Sequence, residues 1–142
     1  MRFKSVVCCD LLLKRKEGEK TLILLMKEKK AGNEDGKYDL PGGHLEENED
    51  IFDAMIRETK EELLIDLDNK DLKLIYLMHH YTKERLNFIF EADGSKLSPL
   101  IGEPNKCSEL KWVDIEKIPR NISKKVKKII KDILDKKTYN KM

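Results

Sequence analysis

No apolar run in this 142-residue chain exceeds about eight residues, far short of the roughly 20 that a membrane-spanning helix requires. The stretch "VVCCDLLL" carries an aspartate and leads straight into Lys-Arg-Lys, so it also fails as the apolar core of a secretory signal. Cysteine is scarce. Cys8 and Cys9 are adjacent and Cys107 stands alone, which excludes a disulfide framework and the paired spacing of a zinc site. These thiols read as reduced strand residues, and the expected compartment is the cytoplasm. Aromatics make up only 6% of the chain. None alternate with basic residues at base-stacking spacing, which argues against an RNA-recognition module, and nothing points to DNA. An excess of one charge is also missing, since the net charge is +2.

That small net charge hides an uneven distribution. From Arg120 onward nine Lys/Arg face two Asp, a tail of +7, and the first 119 residues sum to about −5. An acidic body with a basic end suits a site for metal and polyphosphate beside a cationic surface. The length is that of one domain spanning 1–142, enough to bury a core, and its punctuation is that of a mixed α/β fold. "KSVVCCDLLLKRK" and "KTLILLMKEKK" read as two strands joined by a hairpin at "EGE", while "AGNEDGKYD" reads as loop and Pro41-Gly42-Gly43 as a sharp turn. "DLKLIYLMHHYT", "RLNFIFEADG" and the short "ELKWVDI" are further strands, with "GSKLSPLIGEPN" a loop. In "SKKVKKIIKDILDKK", Val126, Ile129, Ile130, Ile133 and Leu134 continue an apolar stripe from Ile122, which predicts a helix packed on the sheet with a solvated lysine face.

One segment, "GGHLEENEDIFDAMIRETKEELLI" from Gly42 to Ile65, holds eight carboxylates. Asn48 is placed to cap a helix whose first turn carries Glu49 and Asp50, where the helix dipole favours negative charge. At 100° per residue Phe52, Met55, Ile56, Thr59 and Leu63 make its core face, with Phe52 expected in the interior. Glu58, Glu61 and Glu62 fall on a separate arc. Like charges three or four residues apart cost a helix roughly 0.2–0.5 kcal/mol per pair, which a plain surface helix tolerates, so repulsion alone decides nothing. Their company does. A Gly-Gly turn just ahead offers a backbone carbonyl, Glu58 and Glu62 lie one turn apart, and Arg57 can hold acids in place. Oxygen donors of this kind suit Mg²⁺.

These residues resemble the signature of the Nudix hydrolase family, G-x5-E-x7-R-E-U-x-E-E-x-G-U with U apolar. Here they are Gly43, Glu49, Arg57, Glu58, Thr59, Glu61, Glu62 and Ile65 in the required spacing. Six fixed residues at roughly 6–7% each coincide in about one window in 10⁷. Thr59 stands where an apolar residue is usual, and Leu64 replaces the glycine that ends the helix. Without that glycine the helix is expected to run on toward Asp66 or Asn69. "YDLPGGHLE" and "EPNKCSELKWVDIEKIP" are similar to segments of MutT-type nucleoside triphosphatases, so the resemblance covers Val6 to Pro119. It implies an α/β/α sandwich around a mixed central sheet with a loop–helix–loop catalytic motif. It also implies Mg²⁺-dependent hydrolysis, with Mn²⁺ as a substitute, of a nucleoside diphosphate linked to another moiety. By the same resemblance Glu58, Glu61, Glu62 and the carbonyl of Gly42 or Gly43 hold the metal, and Glu58, Glu61 and Arg57 act in catalysis. The base is either Glu58, which we favour, or a carboxylate from a later loop.

Outside the motif, Tyr38 precedes the turn and could pack or line a base pocket. His79 and His80 end a strand, and His80 is the candidate for a substrate contact. Glu103, with Glu109, is a candidate for a further ligand or substrate contact from a distal loop. Trp112 reads as core. The expected partner is a nucleotide, with neither a membrane nor RNA, and the chain as monomer or homodimer. The favoured activity is MutT-like, a (d)NTP cleaved to (d)NMP and pyrophosphate. The alternatives are hydrolysis of ADP-ribose, a dinucleoside polyphosphate or capped RNA, and a non-catalytic domain that binds a nucleotide or RNA. A complete acid set argues against the last.

Overall fold

The structure of the protein, a computed structural model, describes residues 2–29 and 35–142. The first two apolar runs form the expected hairpin, β1 (Val6–Glu17) and β2 (Lys20–Lys29). Gly18 takes the left-handed conformation (φ 63°) in the two-residue turn, as the tight reversal demands. The hairpin is short. β1 and β2 pair only where Lys14–Glu17 face Lys20–Ile23, and beyond that they part. Two strands enter the opening: β3 (Asp35–Asp39), antiparallel to β2, and β4 (Gly42–His44), antiparallel to β1. Along its other edge β1 runs parallel to β6 (Arg85–Asp93). β6 pairs antiparallel with β5 (Lys73–His80), and β5 pairs in parallel with β8 (Tyr139–Lys141). β7 (Cys107–Asp114) lies antiparallel to β2, completing an eight-stranded mixed sheet.

Alternation along the strands builds one core on each face. Leu11, Leu13, Leu24, Met26 and Phe90 face helix α1 (Ile51–Leu63), while Leu12, Ile23, Leu25 and Ile89 face helix α2 (Lys124–Leu134). The result is the sandwich expected from the motif. α1 buries Ala54, Met55, Thr59 and Leu63, and the Thr59 hydroxyl donates to the Met55 carbonyl at 2.9 Å. That bond lets a threonine sit in an apolar position without an unpaired hydroxyl. Phe52 is only half-buried, edge-on to Phe90 at 4.9 Å between ring centroids. α2 buries Val126, Ile129 and Ile130 and leaves Leu134 exposed. Trp112 packs partly buried against the α1-side core with the Arg15 guanidinium over its ring. Among the described residues no helix is long and apolar enough to cross a membrane.

Four local expectations give way. The loop read over residues 31–39 starts outside the described residues, and its last five form β3, tied to the segment before α2 by Tyr38 N–H to Asn121 O and Ser123 N–H to Tyr38 O. Pro41-Gly42-Gly43 is not merely a turn, because Gly42–His44 adds to β1. Asp50, not Asn48, caps α1, accepting from the Asp53 N–H at 2.8 Å. The helix also does not run on past Leu64. Leu64 itself takes the left-handed conformation (φ 54°) that glycine would supply, at a cost of about 1 kcal/mol. What holds it is tertiary capping, since Leu100 N–H donates to Leu63 O and Gly102 N–H to Glu62 O, both at 2.9 Å. Gly102 is required there because a Cβ would collide with the Glu61 carbonyl.

Candidate active site

Where β1 and β2 diverge, the sheet opens into a cleft of about 270 Å³, and β4 brings Gly42, Gly43 and His44 to its wall beside Glu62 of α1. Glu62 Oε1 accepts the Gly42 N–H at 2.8 Å. One turn earlier, the Glu58 carboxylate lies so close to Gly43 that a Cβ on that residue would collide with it. The two acids therefore press on consecutive glycines of one strand, which accounts for the Gly-Gly pair in terms of space.

Arg57 organises the rest. Its Nε and one terminal nitrogen grip Glu49 at 2.7 and 3.0 Å, a bidentate pair, and the latter also donates to His44 O at 3.1 Å. Its other terminal nitrogen reaches Glu58 at 3.0 Å and Glu61 at 3.4 Å. One guanidinium thus fastens the loop ahead of α1 to the helix and orients two of its acids. The hydrogen bond from Arg57 holds Glu49 below its usual range. Glu58 is instead raised by burial, with Arg57 opposing and the charges of Glu61 and Glu103 adding. Burial pushes Glu62 up to about 8; the Gly42 N–H opposes this, and Glu58, Glu103 and Asp10 add to it.

The structure brings Glu58, Glu62, Gly42 and Gly43 together, with Glu61 exposed at the end of the Arg57 fan. Among the described residues no three acidic, histidine or cysteine side chains converge closely enough to hold a metal ion unaided. Mg²⁺ needs only one or two carboxylates and keeps its waters, and a buried carboxylate that has trouble ionising gains from a cation beside it. The donor set fits. Glu103 is half-buried, pairs with Lys106 at 3.4 Å and raises both Glu58 and Glu62 through its charge. Tyr38 does not line the cleft. It packs in the α2-side core, and its hydroxyl donates to Glu109 at 2.8 Å. His80 ends β5 outside the cleft lining, paired with Arg85 across the strands, and burial lowers its pKa.

Several cleft residues escaped the sequence reading. Asp10, Asp39, Arg85, Asn87, Lys106 and Lys125 line the cleft from three strands, a loop and α2, brought together only by the fold. Burial pushes Asp39 up to about 6, against the lowering charge of Lys125.

The Glu62 shift has a consequence for stability. With a folded-state value near 8 and a reference value of 4.5, the folded protein binds more protons than the unfolded chain between those limits, so stability falls as pH rises across them. Without divalent cations, Glu62→Gln should therefore melt higher than wild type at pH 8, with the gap closing toward pH 5. Parallel thermal melts at both pH values check this, and a gap that does not depend on pH would refute it.

Comparison with known proteins places these features. The family model described as NUDIX domain matches residues 1–133. A search of curated protein sequences finds no match. Among solved structures, a MutT NUDIX hydrolase from Burkholderia pseudomallei is 24% identical with a TM-score of 0.76, covering 92% of this chain and 98% of its own. An Ap4A hydrolase from C. elegans is 20% identical (TM-score 0.70; 92% and 96% covered). The NUDIX domain of Shewanella oneidensis NrtR, solved with ADP ribose, is 15% identical (TM-score 0.72; 92% and 87% covered). At these identities the likeness is one of fold.

Proposed function

The chain belongs to the Nudix family, and from that premise we propose that it hydrolyses a nucleoside diphosphate linked to a further group with the help of Mg²⁺, or Mn²⁺ in its place. The favoured substrate is a nucleoside triphosphate, cleaved to monophosphate and pyrophosphate. The observation that carries this reading is the acid pair Glu58 and Glu62 set against Gly42-Gly43, at a cleft also lined by Lys27, Arg85 and Lys106. Carboxylates for a cation and cations for phosphate oxygens meet in one opening.

Glu58, Glu61 and Glu62, with a carbonyl from Gly42, would hold the metal. When bound, such an ion neutralises phosphate charge and lowers the pKa of a coordinated water. The protein supplies the positioning. Arg57 fixes the carboxylate of Glu58, the favoured acceptor of the proton that the attacking water gives up. Lys106 meets the polyphosphate, offsetting charge that would otherwise repel the acids.

The structural neighbours named for Ap4A hydrolysis and ADP-ribose binding share this fold, so the test is a panel. Hydrolysis with Mg²⁺ is measured over nucleoside triphosphates, ADP-ribose and diadenosine polyphosphates. The proposal expects the highest kcat/KM on a triphosphate, with pyrophosphate released. Preference for ADP-ribose or a dinucleoside polyphosphate would replace the triphosphate by that substrate. No turnover of any of them would favour a binding role.

A further inference from the structure

The cleft beside the acid pair holds buried polar groups that the proposed hydrolysis leaves unused. Asn87, 1% exposed, donates its Nδ2 to Asp10 Oδ2 at 2.9 Å. Asp10 in turn lies 3.7 Å from Lys125 Nζ, and Lys125 lies 3.9 Å from Asp39. This chain of contacts fixes which way the Asn87 amide points. Its nitrogen is committed to a carboxylate, which can only accept, so its oxygen must serve as an acceptor elsewhere. Among the described residues that Oδ1 has no hydrogen-bond partner, and neither does the buried Nε of Arg85. The two residues sit two positions apart on β6 and so share a face of the sheet, and both line the cleft. An acceptor and a donor buried without partners cost free energy unless something supplies them.

We propose that this face of β6 is the subsite for the nucleobase, and that Asn87 and Arg85 are specificity-determining residues that select a base with a lactam edge. Such a base presents a ring N–H to Asn87 Oδ1 and a neighbouring carbonyl to Arg85. Guanine, hypoxanthine, uracil and thymine offer that edge. With the phosphates held at the acid pair the base enters in one register, in which adenine and cytosine place a bare ring nitrogen against Asn87 Oδ1 and an amino group against Arg85, acceptor on acceptor and donor on donor. A free asparagine could turn its amide over to serve them. Asp10 prevents the turn and is a positioning residue. Selectivity then comes from an amide that cannot flip, because the wrong base leaves buried groups unpaired.

The inference rests on the reading that a nucleotide occupies the cleft, but its test needs no turnover. Binding of GMP, AMP, UMP and CMP to the whole protein is measured by calorimetry. Each lactam base is compared with the amino base of its own size, GMP with AMP and UMP with CMP. The wild type should favour GMP and UMP by about tenfold or more. Asn87→Ala should bring both ratios within about threefold. Asp10→Asn preserves the shape and frees the amide to flip, so it should narrow the ratios as well, a change that a merely structural Asp10 would not produce. Equal binding of GMP and AMP by wild type would overturn the inference, as would a preference that survives either variant in folded form. Failure of all four to bind would overturn the nucleotide reading itself.

Discussion

Glu58→Gln and Glu62→Gln should each lower Mg²⁺-dependent turnover by more than about 100-fold while the protein stays folded. Loss of an outer partner of a metal site already costs roughly 10–100-fold, and these two are candidates for direct ligation. Folding should survive because neither carboxylate stabilises the cation-free protein. Burial raises the proton affinity of both, and they are like charges one turn apart on α1. Glutamine keeps the shape beside Gly43 and can still accept the Gly42 N–H. Activity on the best substrate, measured beside a thermal melt, checks both halves. Near wild-type turnover in either variant would remove that residue from the site.

The largest expected loss of stability lies on the other face. Asp132 is the buried acid of α2, 4% exposed, and accepts the Tyr76 hydroxyl at 2.6 Å and the Asn140 amide at 2.8 Å. It therefore joins α2 to β5 and β8. Asp132→Ala strands the Tyr76 hydroxyl in the core and frees β8, and hydrogen bonds to a charged group contribute about 1.5–3 kcal/mol each. The expected cost is about 3 kcal/mol, or roughly 10 °C in melting temperature for a domain of this size. The double variant with Tyr76→Phe should cost less than the sum of the singles, since the phenylalanine has no hydroxyl to strand. Strict additivity would show that the pair does not interact.

Both predictions draw on residues that were unequally visible in the sequence. The acids of α1 lie within one helical repeat, so spacing alone puts Glu58 and Glu62 on one arc, and their number makes the segment stand out. The β1–β2 hairpin was legible for a similar reason, as two apolar runs around a glycine. β4 was not, because Gly-Gly-His has no side-chain alternation, and its pairing to β1 is a matter of backbone hydrogen bonds. β8 is polar, and Asn140 reaches back to Asp132 on α2. The Asp10–Asn87 bond spans 77 positions, so nothing local could announce it. Leu64 shows the converse. Local propensity argued that the helix should continue, and the backbone of residues 100–102 overrode it by donating to the last carbonyls. Tyr38 sat next to the turn in sequence, but its ring packs into the α2-side core and its hydroxyl is taken up by Glu109, so proximity in sequence did not put it on the cleft wall.

The central claim is that the acid pair on Gly42-Gly43 serves a cut between the first and second phosphates of a nucleoside triphosphate. Running the reaction in ¹⁸O-labelled water, with the products followed from the first turnover, tests it most directly. The account predicts nucleoside monophosphate and pyrophosphate, with the label in the pyrophosphate, because attack at the second phosphorus puts the water oxygen there. A nucleoside diphosphate with labelled orthophosphate as the first products would contradict it.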